Sequence, residues 1–144
     1  MDKRILAILA TLTAALYGPQ AVAAGTAQAI GNAGQLCDEQ TARVERAEGI
    51  PQHLLKAIAL AETGRWDAVE QENFAWPWTV TALGKGNYFP DKQAALDYVR
   101  ALKGRGISNI DVGCMQINLF YHGDTFASLE QAIDPAANVG YAAE

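Results

Sequence analysis

Between stretches of helical period lies one with the period of a strand, and this mixture limits the chain to an α+β fold. Trp76-Pro77-Trp78-Thr79-Val80-Thr81 and Asn87-Tyr88-Phe89 alternate aromatic and β-branched residues around the turn Leu83-Gly84-Lys85-Gly86, which predicts an antiparallel hairpin. Pro77 has no N–H to give a central strand, so an edge position is expected there. Residues 107–112 are a candidate third strand. Helical composition fills the rest. One helix is predicted over 38–48, with Asp38 as N-cap and Gly49 as stop, and a second over the apolar stretch 50–62 opens with Pro51 in its first turn. These two are expected to form an antiparallel pair. A third, capped by Asp91, carries Ala95, Leu96, Val99 and Leu102 at helical spacing and ends at Gly104. Two final pieces, 128–133 and 134–144, are divided by Pro135. The expected class is α+β, mainly helical, with a small antiparallel β-hairpin or three-stranded sheet.

The first residues read as a secretory signal: Lys3-Arg4, an apolar run over 5–17 interrupted only by threonines, and a small-residue site at Ala21-Val22-Ala23. A membrane anchor would need about 20 apolar residues, and Gly18-Pro19-Gln20 stops the run short of that. Residues 1–23 are thus expected to be removed and 24–36, small and polar, to form a flexible lead-in. The remainder, 37–144, suffices for one domain with one modest core. The formal net charge is −5, from 11 basic against 16 acidic residues, and no basic cluster follows Arg4, which argues against nucleic acid as a partner. In an exported chain the only two cysteines, Cys37 and Cys114, are most economically read as one disulfide, the alternative being two free buried thiols. No metal or other cofactor is expected, because two cysteines and two histidines, His53 and His122, match no ligand spacing.

Glu62 ends the second helix at the positions that follow Leu55 by seven and Ile58 by four, where a hydrophobe would ordinarily stand. Desolvation by those neighbours and the negative end of the helix dipole, with Thr63-Gly64 as the stop, would both favour its protonated form and make it a general acid. The bland alternative is a solvated glutamate turned outward at a helix end. The second informative segment is Asp111-Val112-Gly113-Cys114-Met115-Gln116-Ile117-Asn118. Its glycine allows close backbone approach, and its amides suit sugar hydroxyls and N-acetyl groups. Taken alone, it is equally a polar turn between a strand and a helix.

Together the two segments resemble the lysozyme-like lytic transglycosylases, which share a domain with goose-type lysozymes. Glu62-Thr63 matches the family's Glu-Ser or Glu-Thr pair at a helix end. Gly113-Cys114-Met115-Gln116 matches its Gly-Leu-Met-Gln motif with cysteine in place of leucine, and the Met-Gln-Ile-Asn ending looks like the branch associated with secretion machinery and other envelope-spanning assemblies. The resemblance spans about residues 37–144. It departs at the third motif, an Ala-Tyr-Asn-like helix: Asn138-Val139-Gly140-Tyr141-Ala142 is similar to the helix that precedes it, so a further C-terminal part is expected and the cleft is left unfinished on one side.

The resemblance implies a lyase acting on peptidoglycan strands in the periplasm. The bond cleaved would be the β-1,4 link between N-acetylmuramic acid and N-acetylglucosamine, Glu62 serving as acid and then as base to give a 1,6-anhydro product. Gln116 and Thr63 are candidates for holding the acetamido group or orienting Glu62, Asn118 is a weaker one, and Met115 would pack beneath a sugar ring. Trp76, Trp78 and Tyr88 on the hairpin could stack on saccharide faces, at least one of them being core. Tyr121-His122 reads as an exposed loop or a cleft rim. Asp111 is a possible second carboxylate that would turn the enzyme into a muramidase. A non-catalytic peptidoglycan-binding module is the third reading.

Overall fold

The computed structural model describes residues 20–68 and 70–144, with side chains from residue 33 onward. The expected leader over 1–23 falls almost wholly outside them. Helix α1 (Gln20–Glu48) is continuous, so the expected flexible lead-in is helical instead: the alanines scattered through that stretch outweigh its glycines. Asp38 accordingly lies inside α1 rather than capping its start. Its carboxylate receives Lys56 Nζ at 2.6 Å and ties α1 to α2 (Leu54–Thr63). Pro51 does not open α2; it belongs to the turn before it, where Leu54 N donates to Pro51 O and His53 takes φ 68°. No side chain of that turn caps the helix. Glu45 does so from α1, accepting from the backbone N–H groups of His53, Leu55 and Lys56 at 2.8, 2.8 and 3.3 Å.

Two antiparallel sheets follow. The first is a hairpin of β1 (Gly64–Asp67) and β2 (Glu72–Ala75), which begins directly at the end of α2 and had no forecast in the sequence pattern. The second has β3 (Thr79–Ala82), β4 (Lys85–Tyr88), β5 (Ile110–Val112) and β6 (Ile117–Asn118) in the order β4-β3-β5-β6, one strand more than the largest sheet expected. β3 and β4 are joined by Leu83-Gly84 with φ of 54° and 74°, the two positive values that match a two-residue turn to strand twist. The edge expectation for Pro77 is corrected: β3 is interior, and Pro77 precedes its first residue, where a missing N–H takes nothing from the ladder.

α3 (Lys92–Gly104) forms as its spacing predicts, with Asp91 Oδ1 accepting from Ala94 N at 2.8 Å and Ala95, Leu96, Val99 and Leu102 buried. The chain then passes through α4 (Leu119–His122), a 3-10 turn (Gly123–Thr125), α5 (Leu129–Ala132) and α6 (Pro135–Ala142). Asp134 caps α6 ahead of a proline whose lost N–H was unpaired in any case.

The core divides into two clusters rather than forming the single one expected. Val80, Ile110 and Val112 of the sheet meet Leu96, Val99 and Leu102 of α3 and Ile133 in one. Val44, Leu55, Ala59 and Val139 surround Cys37, Cys114 and Met115 in the other. Residues 112–115 cross the seam. Cys37 and Cys114 are joined as a disulfide with Cα atoms 5.7 Å apart, linking α1 to that crossing. No helix among the described residues is long and apolar enough to span a membrane.

Candidate active site

Along its length α2 buries the stripe Leu55, Ala59 and Thr63, which leaves Glu62 about 100° away around the helix and exposed. The expected apolar surroundings of the carboxyl are therefore corrected. Ile58, one turn before it, is itself 40% exposed, and Leu55 points to the interior. Thr63 is fully buried, with Oγ1 3.0 Å from Ala59 O and 3.2 Å from Cys114 O. It cannot touch a substrate, contrary to expectation, but it stitches the residue after Glu62 to the second motif. Gly64 ends the helix in an extended conformation, φ −57° and ψ 126°, not a left-handed one. Glycine is required there for space, since a Cβ would stand 2.3 Å from Leu60 O.

The second motif is a turn closed by Gln116 N donating to Gly113 O at 3.2 Å. Gly113 has φ 81°, and its absent Cβ would lie 2.5 Å from Asn138 Nδ2, so both backbone angle and space demand glycine. Asn138, which the sequence reading placed on the last helix without a part in this motif, holds the turn from α6. Its Nδ2 donates to Val112 O and Ala132 O at 2.9 and 2.8 Å, and its Oδ1 accepts from Met115 N at 2.9 Å. An amide at a buried position of an otherwise apolar helix was the available signal.

Gln116 takes φ 48° and gives both donors of its amide to protein carbonyls, Thr79 O at 3.2 Å and Gly113 O at 2.9 Å. Its Oε1 is buried and accepts no hydrogen bond. The side chain braces the β3 end against the turn, and no free donor remains for an acetamido oxygen. Met115 is buried in the second core cluster, not beneath an open surface. Asn118 is committed as well: Oδ1 caps α4 by accepting from Phe120 N and Tyr121 N, and Nδ2 donates to Asn109 and Asp111. These three side chains serve the structure: the Gln116 donors and the whole Asn118 amide are engaged with protein groups, and Met115 is packed in the core. Asp111, half-buried on β5, is held by Asn118 at 2.8 Å.

Of the aromatic residues, Trp76 is corrected outright. It is 1% exposed, donates Nε1–H to Phe89 O at 2.7 Å and lies under the Arg65 guanidinium, 4.8 Å from the ring centroid. Trp78 is half-buried against the first core cluster. Tyr88 is the most exposed of these three rings: it is 46% exposed, and its hydroxyl reaches Gly64 O at 3.1 Å, so the edge strand β4 touches the chain two residues after Glu62. Trp66 on β1, 58% exposed, was missed; its signal was an aromatic residue placed just after the acid. Tyr121 is exposed, on a short helix instead of a loop, and His122 Nδ1 pairs with Tyr141 Oη at 2.9 Å.

A pocket of about 290 Å³ lined by Glu45, Arg46, Ile50 and His53 lies at the opposite end of α2. Glu62 is exposed at the other end of that helix, where β1 begins and where the Tyr88 hydroxyl meets Gly64 O, and the rings of Trp66 and Tyr88 are exposed as well. Comparison with protein-family models, curated proteins and solved structures gives no match for this chain.

Proposed function

We propose that this chain cleaves the glycan strands of peptidoglycan as a lytic transglycosylase with Glu62 as its single catalytic residue. One observation carries the reading: the exposed acid ends a helix whose next residue is bonded, through Thr63, to the Gly113-Cys114-Met115-Gln116 turn. The two segments that resemble the family's motifs, far apart in sequence, are thus in contact. In the proposed reaction the Glu62 carboxyl gives its proton to the glycosidic oxygen as the bond to the anomeric carbon of N-acetylmuramic acid breaks. The carboxylate so formed takes the proton from the muramyl C6 hydroxyl while that oxygen bonds to the anomeric carbon, leaving a 1,6-anhydro end and restoring the acid. A glycan laid across the exposed surface would itself exclude water from the carboxyl during both transfers. The disulfide suits an oxidising compartment and so supports a periplasmic setting, where the branch resembled serves envelope-spanning assemblies.

The test is release of muropeptides from purified sacculi by the chain and by Glu62→Gln. Anhydro products should appear with the former and fall roughly a hundred- to ten-thousand-fold with the latter, the usual worth of a positioned acid and base. Undiminished release by the variant would end the proposal. Products with a reducing end would point instead to a hydrolase with Asp111 assisting water, and binding without cleavage to a non-catalytic module.

A further inference from the structure

We propose that Trp66 is the stacking platform for a neutral N-acetylhexosamine next to the bond that Glu62 cleaves, an inference that rests on the proposed reaction. β1 follows α2 with no intervening residue, so Trp66 stands four residues past the acid. Side chains alternate along a strand. Arg65, half-buried, covers the ring of buried Trp76, and Trp66 takes the other face, which it shares with Gly64. A Cβ on Gly64 would point at Leu60 O in the last turn of α2, so the indole stands on the side of the hairpin where the acid's helix ends. The strand rise of ~3.3 Å per residue sets its Cα about 7 Å beyond Gly64 along β1.

The platform is fixed in place. β1 is paired to β2 from Gly64↔Ala75 to Asp67↔Glu72, and its first residue is tied to the second hairpin by the Tyr88 hydroxyl. Charge selects the ligand: the hairpin carries Asp67, Glu70 and Glu72 against one cation, Arg65, which lies over Trp76 on the strand face opposite Trp66. An anionic surface such as a lipid headgroup layer or nucleic acid is disfavoured there. A neutral ligand with an apolar face is not, and N-acetylglucosamine is the neutral sugar of the glycan.

The experiment is a fluorescence titration of the Glu62→Gln chain with N-acetylated chitooligosaccharides, alongside sacculus cleavage by Trp66 variants of the otherwise unaltered chain. Trp66 is the most exposed of the three tryptophans, so stacking should give a saturable blue shift that Trp66→Phe removes. Trp66→Ala should weaken saccharide binding roughly three- to tenfold and raise KM with kcat kept, with an unchanged circular dichroism spectrum. Sacculi cleaved equally well by Trp66→Ala, with no shift on titration, would overturn this inference and leave the role of Glu62 standing. A Trp66-dependent shift in a chain that cleaves nothing would support the platform and sink the reaction. A shift produced by anionic vesicles and not by saccharide would overturn the platform.

Discussion

Asn138 shows how much of the second motif depends on one amide outside it. Both of its donor bonds and its acceptor bond go to backbone, two of the three partners lying on the 112–115 crossing between the core clusters and the third on α5. Asn138→Ala would strand two carbonyls and one N–H in a buried place and leave a small void. At roughly 1 kcal/mol or more for each unpaired group, the expected loss is about 3 kcal/mol, read as a lower urea midpoint at unchanged slope. Asn138→Asp should cost at least as much, because a carboxylate cannot donate to Val112 O and Ala132 O. A midpoint unmoved by either substitution would show that the turn is held by other means.

At the scale of elements, α2 starts without a cap of its own and borrows one. His53 has a left-handed backbone and no capping side chain, so the open N–H groups of the first turn are met by the Glu45 carboxylate from α1. Burial acts to raise the Glu45 pKa, but the backbone donors of His53, Lys56 and Leu55 together outweigh it and hold the group below the ordinary glutamate value of 4.5. A carboxyl lowered on folding binds fewer protons in the native state, so its contribution to stability is complete above pH 4.5 and is lost as pH falls through the lower, folded value. Glu45→Gln should therefore destabilise by about 1–2 kcal/mol at pH 7 and by less at pH 3, measured by urea unfolding at the two values. A gap that widens on acidification would contradict this assignment.

For the whole molecule, one covalent link joins its first helix to the loop on which the candidate site depends. The Cys37–Cys114 bridge closes a separation of 77 residues, worth up to about 4 kcal/mol through the unfolded chain. Replacement of both cysteines by alanine should lower the urea midpoint accordingly, and a loss under about 1 kcal/mol would mean that packing alone holds α1 in place. Much of this plan was legible in the residues. Asp91 and the spacing of Ala95, Leu96, Val99 and Leu102 announce α3, and the glycine turn announces the β3–β4 hairpin, because these are local preferences that tertiary packing had no reason to oppose. The β1–β2 hairpin was not legible, since neither Gly-Arg-Trp-Asp nor Glu-Asn-Phe-Ala has strand composition; its register is anchored from outside, by Trp76 N on Thr63 O at 3.0 Å. The acid and the Gln116 turn could be named in advance, as could the cysteine pair, but not which neighbours face solvent. Periodicity and composition by themselves determined the mixed fold class and most helices, and short motifs singled out the two segments through their resemblance to a family, all written in the chain over a few turns or strands. Only the tertiary structure decided that Glu62 and Trp66 are open while Thr63, Trp76 and Met115 are closed, because exposure depends on which distant surfaces arrive to cover a side chain.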